Sequence, residues 1–495
     1  MKILSYSIFF HPPRKRPYPC KEAKSRYLNK MKILSAIFFL IFLPAALLPQ
    51  PVLIHYFAIK DVNIIPLNNP HEILWHATVV IAGNRIESLN GPIPKSAVII
   101  NGHGKWLIPG LIDMHVHTPT DFTAGERAPA ERPAITFSTQ DIMTPFIANG
   151  VTTVFNLNAN MESFSQRKEI EHGTVIGPRM PLAALINGGK GMGRIANTPD
   201  DGRQAVRDAK AEGYEFIKVY SQLSIETFLA IIDEANKIGM KTIGHIPDAF
   251  RGKLEQAFVP HFGMVAHAEE FSKQAKVYSE EEARHFAELA KANGTWLSPT
   301  LVTMVQIDDQ AHTLEHLKNS PELSYIHPLL RSKWITANNY NKNSNPERIA
   351  YFDQLILFHI RLVQAFHDAG VPMVAGTDTG VSGVVGGFSL HDELELLQAA
   401  GLSPEEVLTA ATRAPAEWLG MDKQVGTITT GKLADLVLLD ASPLTDIKNT
   451  RKIAGVFVNG RWISRAKSIA MLEDISKRNS KARGQFDWNT LLKNH

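Results

Sequence analysis

The sequence predicts an α/β protein: a (β/α)8 TIM barrel joined to a small β-sandwich domain that is built from both chain ends. In residues 106–420, short apolar runs of strand length alternate with longer helical patterns, which is typical of βα units around a parallel sheet. On either side, residues 58–105 and 421–465 show short apolar alternations broken by Asn, Gly and Pro, which indicate strands and turns. A length of 495 residues also favours one large domain plus a smaller one over a single core.

Residues 1–57 predict an export signal or a membrane anchor. The start MKILS recurs at residues 31–35, directly before an apolar run, which makes Met31 a candidate translation start. Read from Met31, the apolar residues after Lys32 have the length of a signal peptide. An uncleaved anchor is the alternative, because the basic residues before the run would stay in the cytoplasm. We therefore expect an exported protein, periplasmic or secreted, with membrane attachment through this segment as the alternative.

Eight apolar runs fit the eight strands of a barrel. They are residues 106–112, 151–157, 179–186, 216–220, 241–246, 264–268, 296–302 and 372–377. Helical patterns such as 225–238, 280–292 and 352–369 lie between these runs. Residues 303–347 are long, polar and without a clear strand, so we expect an excursion that covers the mouth of the barrel. Residues 466–495 are charged and indicate a C-terminal helix and tail.

Composition excludes several classes of function. The formal net charge is +3 and much of the excess lies in the N-terminal segment, so the body offers no basic surface for nucleic acid. Cys20 is the single cysteine, which excludes a disulfide framework and a cysteine-rich zinc site. Metal ligands must then come from His, Asp, Glu and Lys. We expect a small-molecule substrate as the partner, and the sequence leaves open whether the chain forms a homo-oligomer.

Two histidines, His115 and His117, follow the first predicted barrel strand in the segment PGLIDMHVH, residues 109–117. Side chains two residues apart point to the same side of a strand, so the two imidazoles form a chelating pair. Such a pair alone is weak evidence for a metal, because histidines are also satisfied by hydrogen bonds in cores. Its place at the carboxyl end of a strand, where barrel enzymes carry their active sites, favours a metal site.

Four more ligand-capable residues close later predicted strands. Lys218 ends the fourth, His245 the fifth, His267 the sixth and Asp378 the eighth. Each has an ordinary structural explanation when taken singly, such as a core histidine or a helix cap. Unpaired charges at that depth cost on the order of several kcal/mol unless they pair or coordinate, so the six together favour a metal site.

At these positions the chain resembles the amidohydrolase superfamily, and within it the imidazolonepropionase-like and prolidase-like members. The resemblance covers residues 60–465. It rests on PGLIDMHVH (109–117), FIKVY (216–220), GH (244–245), AHAEE (266–270), AGTD (375–378) and GTITTGKLADLV (426–437).

The resemblance implies two divalent metal ions and a carbamylated lysine. In look-alikes with this ligand set, carbon dioxide modifies the lysine, here Lys218, and the carbamate bridges the metals. The family pattern places His115, His117 and Asp378 on one metal, and His245 and His267 on the other. An unmodified ammonium would repel a cation, whereas a carbamate supplies two oxygens and a negative charge. Zinc is the expected metal, and manganese, cobalt and iron also suit such ligands.

We expect a hydrolase that acts on an amide-like carbon–nitrogen bond of a small substrate: a cyclic amide, an X-Pro dipeptide or an N-acyl amino acid. Asp378 is the expected general base and acid, and Tyr220 is a candidate donor to the oxyanion or to a substrate carboxylate. In the loop 187–194, Lys190 and Arg194 are candidate carboxylate contacts. His391 is interpreted as an ordinary residue in the first turn of a helix. The alternatives are a mononuclear deaminase, a lactone or organophosphate hydrolase, and a metal-free binding barrel.

Overall fold

The computed structural model describes residues 54–122 and 135–493 of the chain. Residues 1–53 of the predicted export or anchor segment, and the last two residues of the predicted tail, lie outside the described residues. The description that follows concerns the compact unit that begins at Ile54.

The strands, numbered in chain order, alternate with helices through the middle of the chain. They are β1 (Tyr56–Ile64), β2 (Leu74–Ala82), β3 (Arg85–Leu89), β4 (Val98–Asn101), β5 (Trp106–Pro109), β6 (Leu111–Val116), β7 (Asp121–Phe122), β8 (Ile135–Thr136), β9 (Val151–Asn156), β10 (Ala183–Asn187), β11 (Arg194–Ile195), β12 (Phe216–Val219), β13 (Lys241–Gly244), β14 (Met264–Ala266), β15 (Trp296–Ser298), β16 (Leu436–Leu439), β17 (Ile453–Val458) and β18 (Arg461–Ser464). The helices are α1 (Thr139–Ala148), α2 (Met161–Glu171), α3 (Pro199–Glu212), α4 (Ile225–Lys237), α5 (Glu269–Ser272), α6 (Glu280–Asn293), α7 (Leu301–His312), α8 (Glu315–Asn319), α9 (Pro328–Thr336), α10 (Asn339–Lys342), α11 (Pro346–Ala369), α12 (Phe388–Ala399), α13 (Pro404–Ala410), α14 (Arg413–Leu419), α15 (Arg465–Ala482) and α16 (Trp488–Lys493).

Parallel strands form the barrel. β6 pairs with β9, and β10, β12, β13, β14 and β15 pair in that order. Bridges from Thr153 to Arg179 and from Asn156 to Leu182 join β9 to the β10 side. The segment 372–379 closes the ring, because Met373 bridges Leu297 of β15 and Thr379 bridges Val116 of β6. The predicted TIM-barrel fold class is confirmed.

Capping residues mark the first and last turns of the barrel helices. The side chain of Thr198 accepts from the N–H of Asp201 at the start of α3, and the Asp201 side chain returns the bond to form a capping box. Gly213 ends the same helix with φ of 96°, a left-handed conformation that glycine adopts without strain. On α4, Phe228, Ile231 and Ile232 are spaced to form one buried face, and each such side chain contributes about 1.5–3 kcal/mol.

The two ends of the chain share one small sheet. Its strand order is β18-β17-β16-β5-β1-β2-β3, with β4 paired to β1. Bulges interrupt the pairing of β1 with β2 between Ile59 and Ile64. Side chains from both chain ends, such as Val79 and Phe457, lie in one apolar core. The strands predicted to form a sandwich are therefore hydrogen-bonded as one continuous sheet.

Several predicted strand boundaries are wrong, and two of them have a clear physical reason. The first apolar run, 106–112, is divided at Gly110: residues before it pair with β16 in the small sheet, and residues after it enter the barrel. A Cβ at Gly110 would lie 2.1 Å from Oγ1 of Thr152, so any other residue here would force Thr152 to shift where the chain passes between the two sheets. The seventh strand ends at Ser298 rather than at residue 302, because Thr300 takes φ of 49° and α7 follows at once.

The predicted excursion, residues 303–347, is helical. It contains most of α7 and all of α8, α9 and α10, and α11 then returns to the barrel. Among the described residues, one helix, α11, is long and apolar enough to cross a membrane. Its Phe358, Leu362 and Phe366 are buried in the barrel core, as expected for a core helix of a globular protein.

Candidate metal centre

All six predicted ligands lie at the carboxyl ends of the barrel strands. His115 is in β6 and Lys218 in β12, while the other four directly follow strands or lie in the closing segment: His117, His245, His267 and Asp378. His115 and Lys218 are 0% and 1% exposed. The backbone at His267 and Asp378 is left-handed, with φ of 81° and 57°. Such conformations are costly for residues other than glycine and cluster at functional sites.

Asp378 and the first-strand histidines are in direct contact. Oδ1 of Asp378 lies 3.0 Å from Nε2 of His117 and 3.2 Å from Nε2 of His115. The same His115 nitrogen is 3.0 Å from Nζ of Lys218. Burial alone would raise the pKa of Asp378, but His115, His117 and His267 around it hold that pKa well below its usual range. Asp378 is therefore an ionised acceptor at the centre of the cluster.

His245 and His267 complete the cluster, and the Nδ1 atom of each ring has a polar partner. The centroid of the His267 ring lies 4.5 Å from that of His115 and 5.0 Å from that of His245. Nδ1 of His267 bonds to Oγ1 of Thr300 at 2.7 Å, and Nδ1 of His245 lies 2.9 Å from Oε1 of Glu270. Because each Nδ1 is engaged, Nε2 is the nitrogen that each ring can offer to a metal.

The donor set fits divalent metal ions. His115, His267 and Asp378 each offer a ligand atom, and these atoms lie within 4.8 Å of one another. Imidazole nitrogen and carboxylate oxygen are ligands that zinc and similar metals accept. The Nδ1 atoms of His115 and His117 are buried without a hydrogen-bond partner, so protein groups alone leave polar atoms of this cluster unsatisfied.

Lys218 is buried among these groups, and no carboxylate of the described residues is in hydrogen-bond contact with it. Its Nζ contacts His115 and lies 5.8 Å from the centroid of the Tyr220 ring. Burial lowers the pKa of Lys218 to about 8, so a substantial fraction of the amine is neutral near physiological pH. A neutral amine is the form that reacts with carbon dioxide.

Asp113 supports the cluster from below. Its Oδ1 accepts hydrogen bonds from the N–H of His115 at 3.2 Å and of Thr377 at 3.0 Å, and Oδ2 accepts from Oγ1 of Thr377 at 2.7 Å. These bonds join β6 to the closing segment immediately before Asp378. Asp113 therefore fixes the relative position of the two segments that carry His115 and Asp378.

Two tyrosines face the mouth of the barrel. The ring of Tyr220 packs on His245 with centroids 4.1 Å apart, and burial together with the charge of Asp378 raises the pKa of Tyr220. Tyr340, from α10 of the excursion, is half-buried, and burial with the charges of Asp378 and Glu269 raises its pKa as well. Both phenols stay protonated and can donate hydrogen bonds.

The two predicted loop contacts lie apart from the cluster. Arg194, on β11, forms an ion pair with Glu212, and its guanidinium lies 5.3 Å from the centroid of the Tyr214 ring. Lys190 is exposed in the loop before β11. Among the described residues, neither forms a hydrogen bond, ion pair or ring contact with the six clustered residues. Their substrate-binding roles stay predictions.

His391 is a structural residue, as interpreted from the sequence. It is 1% exposed, and its Nδ1 bonds to Oγ1 of Thr450 at 2.9 Å while its Nε2 bonds to the carbonyl oxygen of Asn149 at 3.1 Å. Both ring nitrogens are therefore engaged away from the cluster.

The sequence reasoning missed the supporting residues Asp113, Glu270, Thr300 and Tyr340. Glu270 stands in the segment AHAEE and Asp113 in PGLIDMHVH, so carboxylates beside predicted ligands were a usable signal. Thr300 and Tyr340 carry no such signal, because the fold brings them to the site from later segments.

Comparison with known proteins places the chain in a family. The sequence model of the amidohydrolase family matches residues 106–463, more than half of the chain. A stretch of 105 residues is 31% identical to the imidazolonepropionase of Thermoplasma volcanium, covering 20% of this chain and 25% of that relative. The match to a Bacillus cereus 5-methylthioadenosine/S-adenosylhomocysteine deaminase is 20% identical over 457 residues, covering 81% of this chain and 92% of the deaminase.

Solved structures share the fold. A Xaa-Pro dipeptidase with bound methionine is 20% identical, with 83% of this chain and all of that chain covered and a TM-score of 0.62. A bottromycin amidohydrolase is 21% identical, with 88% and 92% covered and a TM-score of 0.66.

The chain therefore belongs to the amidohydrolase family, as its motifs predicted. It is an enzyme of this class, a hydrolase that acts on carbon–nitrogen bonds.

Proposed function

We propose that the chain hydrolyses an amide-like carbon–nitrogen bond of a small substrate at a binuclear centre, with zinc as the metal and Lys218 as a carbamate. The observation that carries the proposal is the convergence of six ligand-capable side chains in one buried cluster. Four histidines and an aspartate are more than one tetrahedral ion needs, which favours two metals. The lowered pKa of the buried lysine, which leaves part of the amine neutral, favours the carbamate.

Two divalent ions bound there would activate water and polarise the scissile carbonyl. His115, His117 and Asp378 would hold one ion, His245 and His267 the other, and Lys218 would contact both.

Asp378 is the proton carrier in this proposal. It is ionised, and its side chain is 14% exposed towards the mouth of the barrel. It takes the proton from the attacking water and returns it to the leaving nitrogen, a role that contributes typically about 10²–10⁴-fold in rate. Tyr220 is protonated and borders the same cluster, so it donates to the oxyanion or to a carboxylate of the substrate.

A mononuclear deaminase is the second candidate. It is supported by the long match to a deaminase and by the compact group of His115, His267 and Asp378, which one ion could satisfy. Lys218 is evidence against this candidate, because a site with a single metal does not need a bridging carbamate.

The test is a hydrolysis screen on zinc-loaded protein with bicarbonate, across X-Pro and other dipeptides, N-acyl amino acids, hydantoins, imidazolones, lactones and aminopurine nucleosides. We expect turnover of amide substrates by the wild type and a loss of at least about 10²-fold in Lys218→Met. Lys237→Met, on the exposed surface of α4, is the matched control and should keep wild-type activity. Turnover of nucleosides alone would favour the deaminase, and equal activity in Lys218→Met would contradict the binuclear proposal.

We also propose that the enzyme is exported through its N-terminal segment. The support is the apolar run after Lys32, which has the length of a signal peptide. The mass of the mature protein from its natural host tests this: loss of the run indicates cleavage, and an intact run in the membrane fraction indicates an anchor. An intact chain in the cytosol would contradict both forms of the proposal.

A further inference from the structure

A cavity of about 340 Å³ lies beside the metal cluster, on the side of His117. At one end it is lined by His117, Thr379 and Gly380, which belong to the cluster or directly follow Asp378. At the other end it reaches the excursion, where Leu330 and Trp334 of α9 line it. Residues four apart lie on one face of a helix, so Leu330 and Trp334 form an apolar patch on α9, and Lys333 of the same helix also lines the cavity.

Part of the wall between these ends is apolar. Phe146, Val384 and Val385 are buried and line it, together with Leu330 and Trp334. Aromatic and branched aliphatic side chains of this kind recognise apolar groups through the area that they remove from water.

Some polar side chains of the wall are paired within the protein. Asp141 forms an ion pair with Arg478 at 2.5 Å. Thr118 donates to Gln166 at 3.1 Å and accepts from Asn156 at 2.8 Å. At these positions a ligand would gain little from polar contacts, because Asp141 and Thr118 already have partners, whereas the apolar side chains favour an apolar group.

The volume suits a bulky group. Pockets for complete small ligands measure about 300–1,000 Å³, so a cavity of about 340 Å³ exceeds the needs of a proline ring or a methyl group. Tyr220 and Tyr340 are not among the residues that line this cavity, and their phenols, which lie close enough to Asp378 to feel its charge, suit the polar end of a substrate.

We propose that this cavity binds a bulky apolar arm, aromatic or medium-chain aliphatic, of the amide that the enzyme cleaves. The proposal rests on the proposed function and narrows its substrate class. Amides with one such arm, N-acyl amino acids among them, are preferred over X-Pro dipeptides with small side chains. Leu330 and Trp334 of α9 set this preference, so the excursion acts as the specificity wall of the site.

Two substrate series test the preference. In one, the acyl group on glycine is varied from acetyl to phenylacetyl to octanoyl, and in the other, N-acetyl glycine is compared with N-acetyl phenylalanine. We expect kcat/KM to rise by at least about tenfold with the bulky arm in one series, as hydrophobic pockets discriminate on this scale. Equal kcat/KM across both series would overturn the proposal while leaving the proposed function intact.

Variants of Leu330 locate the effect. Leu330→Trp fills the cavity and should reduce the ratio of kcat/KM for bulky over small arms by about tenfold, whereas Leu330→Ala should shift the preference to longer arms. Leu357→Trp, at a position of α11 that is 60% exposed, is the matched control and should keep the wild-type ratio. An unchanged ratio in both Leu330 variants would overturn the assignment of the arm to this cavity.

Direct binding separates this inference from the catalytic proposal. Calorimetry on metal-free full-length protein compares N-octanoyl glycine with N-acetyl glycine, so no turnover is needed. Binding at least about tenfold tighter for the octanoyl compound, lost in Leu330→Trp, supports the cavity even if no amide is hydrolysed. Equal binding of the two compounds would overturn it.

Discussion

Replacing Glu270 by glutamine should weaken metal binding while keeping the shape of the site. Glu270 is 0% exposed, and its Oε1 lies 2.9 Å from Nδ1 of His245 and 2.8 Å from Nζ of Lys273. Its Oε2 accepts the N–H of Ile246 at 3.1 Å. Burial would raise the pKa of Glu270, but His245 and Lys273 hold it below its usual range, so the group is a carboxylate.

The size of the effect follows from these contacts. A carboxylate behind a metal-binding histidine typically contributes about 10–100-fold to metal affinity, which corresponds to about 1.4–2.7 kcal/mol. The glutamine carbonyl can still accept from His245, so we expect the lower part of this range, about tenfold. Lys273 loses a charged partner but is 27% exposed and keeps Glu269 at 3.5 Å. The amide NH2 that replaces Oε2 cannot accept the N–H of Ile246, so stability should fall by about 1–3 kcal/mol.

Zinc competition against a chelator of known affinity measures the change, with urea unfolding for stability. Glu269→Gln is the matched control, because the neighbouring carboxylate contacts Lys273 and, among the described residues, forms no hydrogen bond or ion pair with a histidine. It should bind zinc as the wild type does. The reasoning is refuted if Glu270→Gln binds zinc as tightly as the wild type, or if the two variants lose the same affinity.

Four further outcomes are expected. Burial raises the pKa of Glu393 from 4.5 to about 8, so the folded chain holds a proton that the unfolded chain releases, and stability should fall as pH rises between these values. Urea unfolding at both ends of this range should show a smaller fall in Glu393→Gln, and an equal fall would contradict the assignment. Asp378→Asn should lower kcat by about 10²–10⁴-fold in steady-state assays, and a loss below tenfold would remove it as proton carrier. His391→Ala should lower the free energy of unfolding in urea by about 2–4 kcal/mol without changing the metal content. A loss of metal would contradict a purely structural role for His391. Gly110→Ala should cost about 1–3 kcal/mol, because its Cβ would lie 2.1 Å from Thr152, and wild-type stability would show that the barrel accommodates it.

The positions of the ligands could be predicted because they depend on local patterns. Each of Lys218, His245 and His267 ends a short apolar run, and parallel strands of a barrel bring such ends to one face. The prediction required only the number and order of the runs. Exact strand limits were not needed, so the sequence could predict that these candidate ligands lie together although several strand boundaries were wrong.

Contacts between distant segments could not be predicted in this way. Thr300 reaches His267 across 33 residues, and Thr377 reaches Asp113 across 264, through geometry that no local pattern encodes. The run 106–112 was read as one strand because its apolar character continues through two sheets, and only the close approach of Thr152 to Gly110 separates them. The pairing of Arg194 with Glu212 on α3 was hidden for the same reason.

Metal content per chain, measured by plasma mass spectrometry after zinc loading with and without bicarbonate, is the most direct test of the binuclear centre. We expect about two zinc ions per wild-type chain with bicarbonate, fewer without it, and a reduced content in Lys218→Met that bicarbonate does not change. One ion per chain under all conditions, equal in wild type and Lys218→Met, would contradict the carbamate-bridged site and favour the mononuclear alternative.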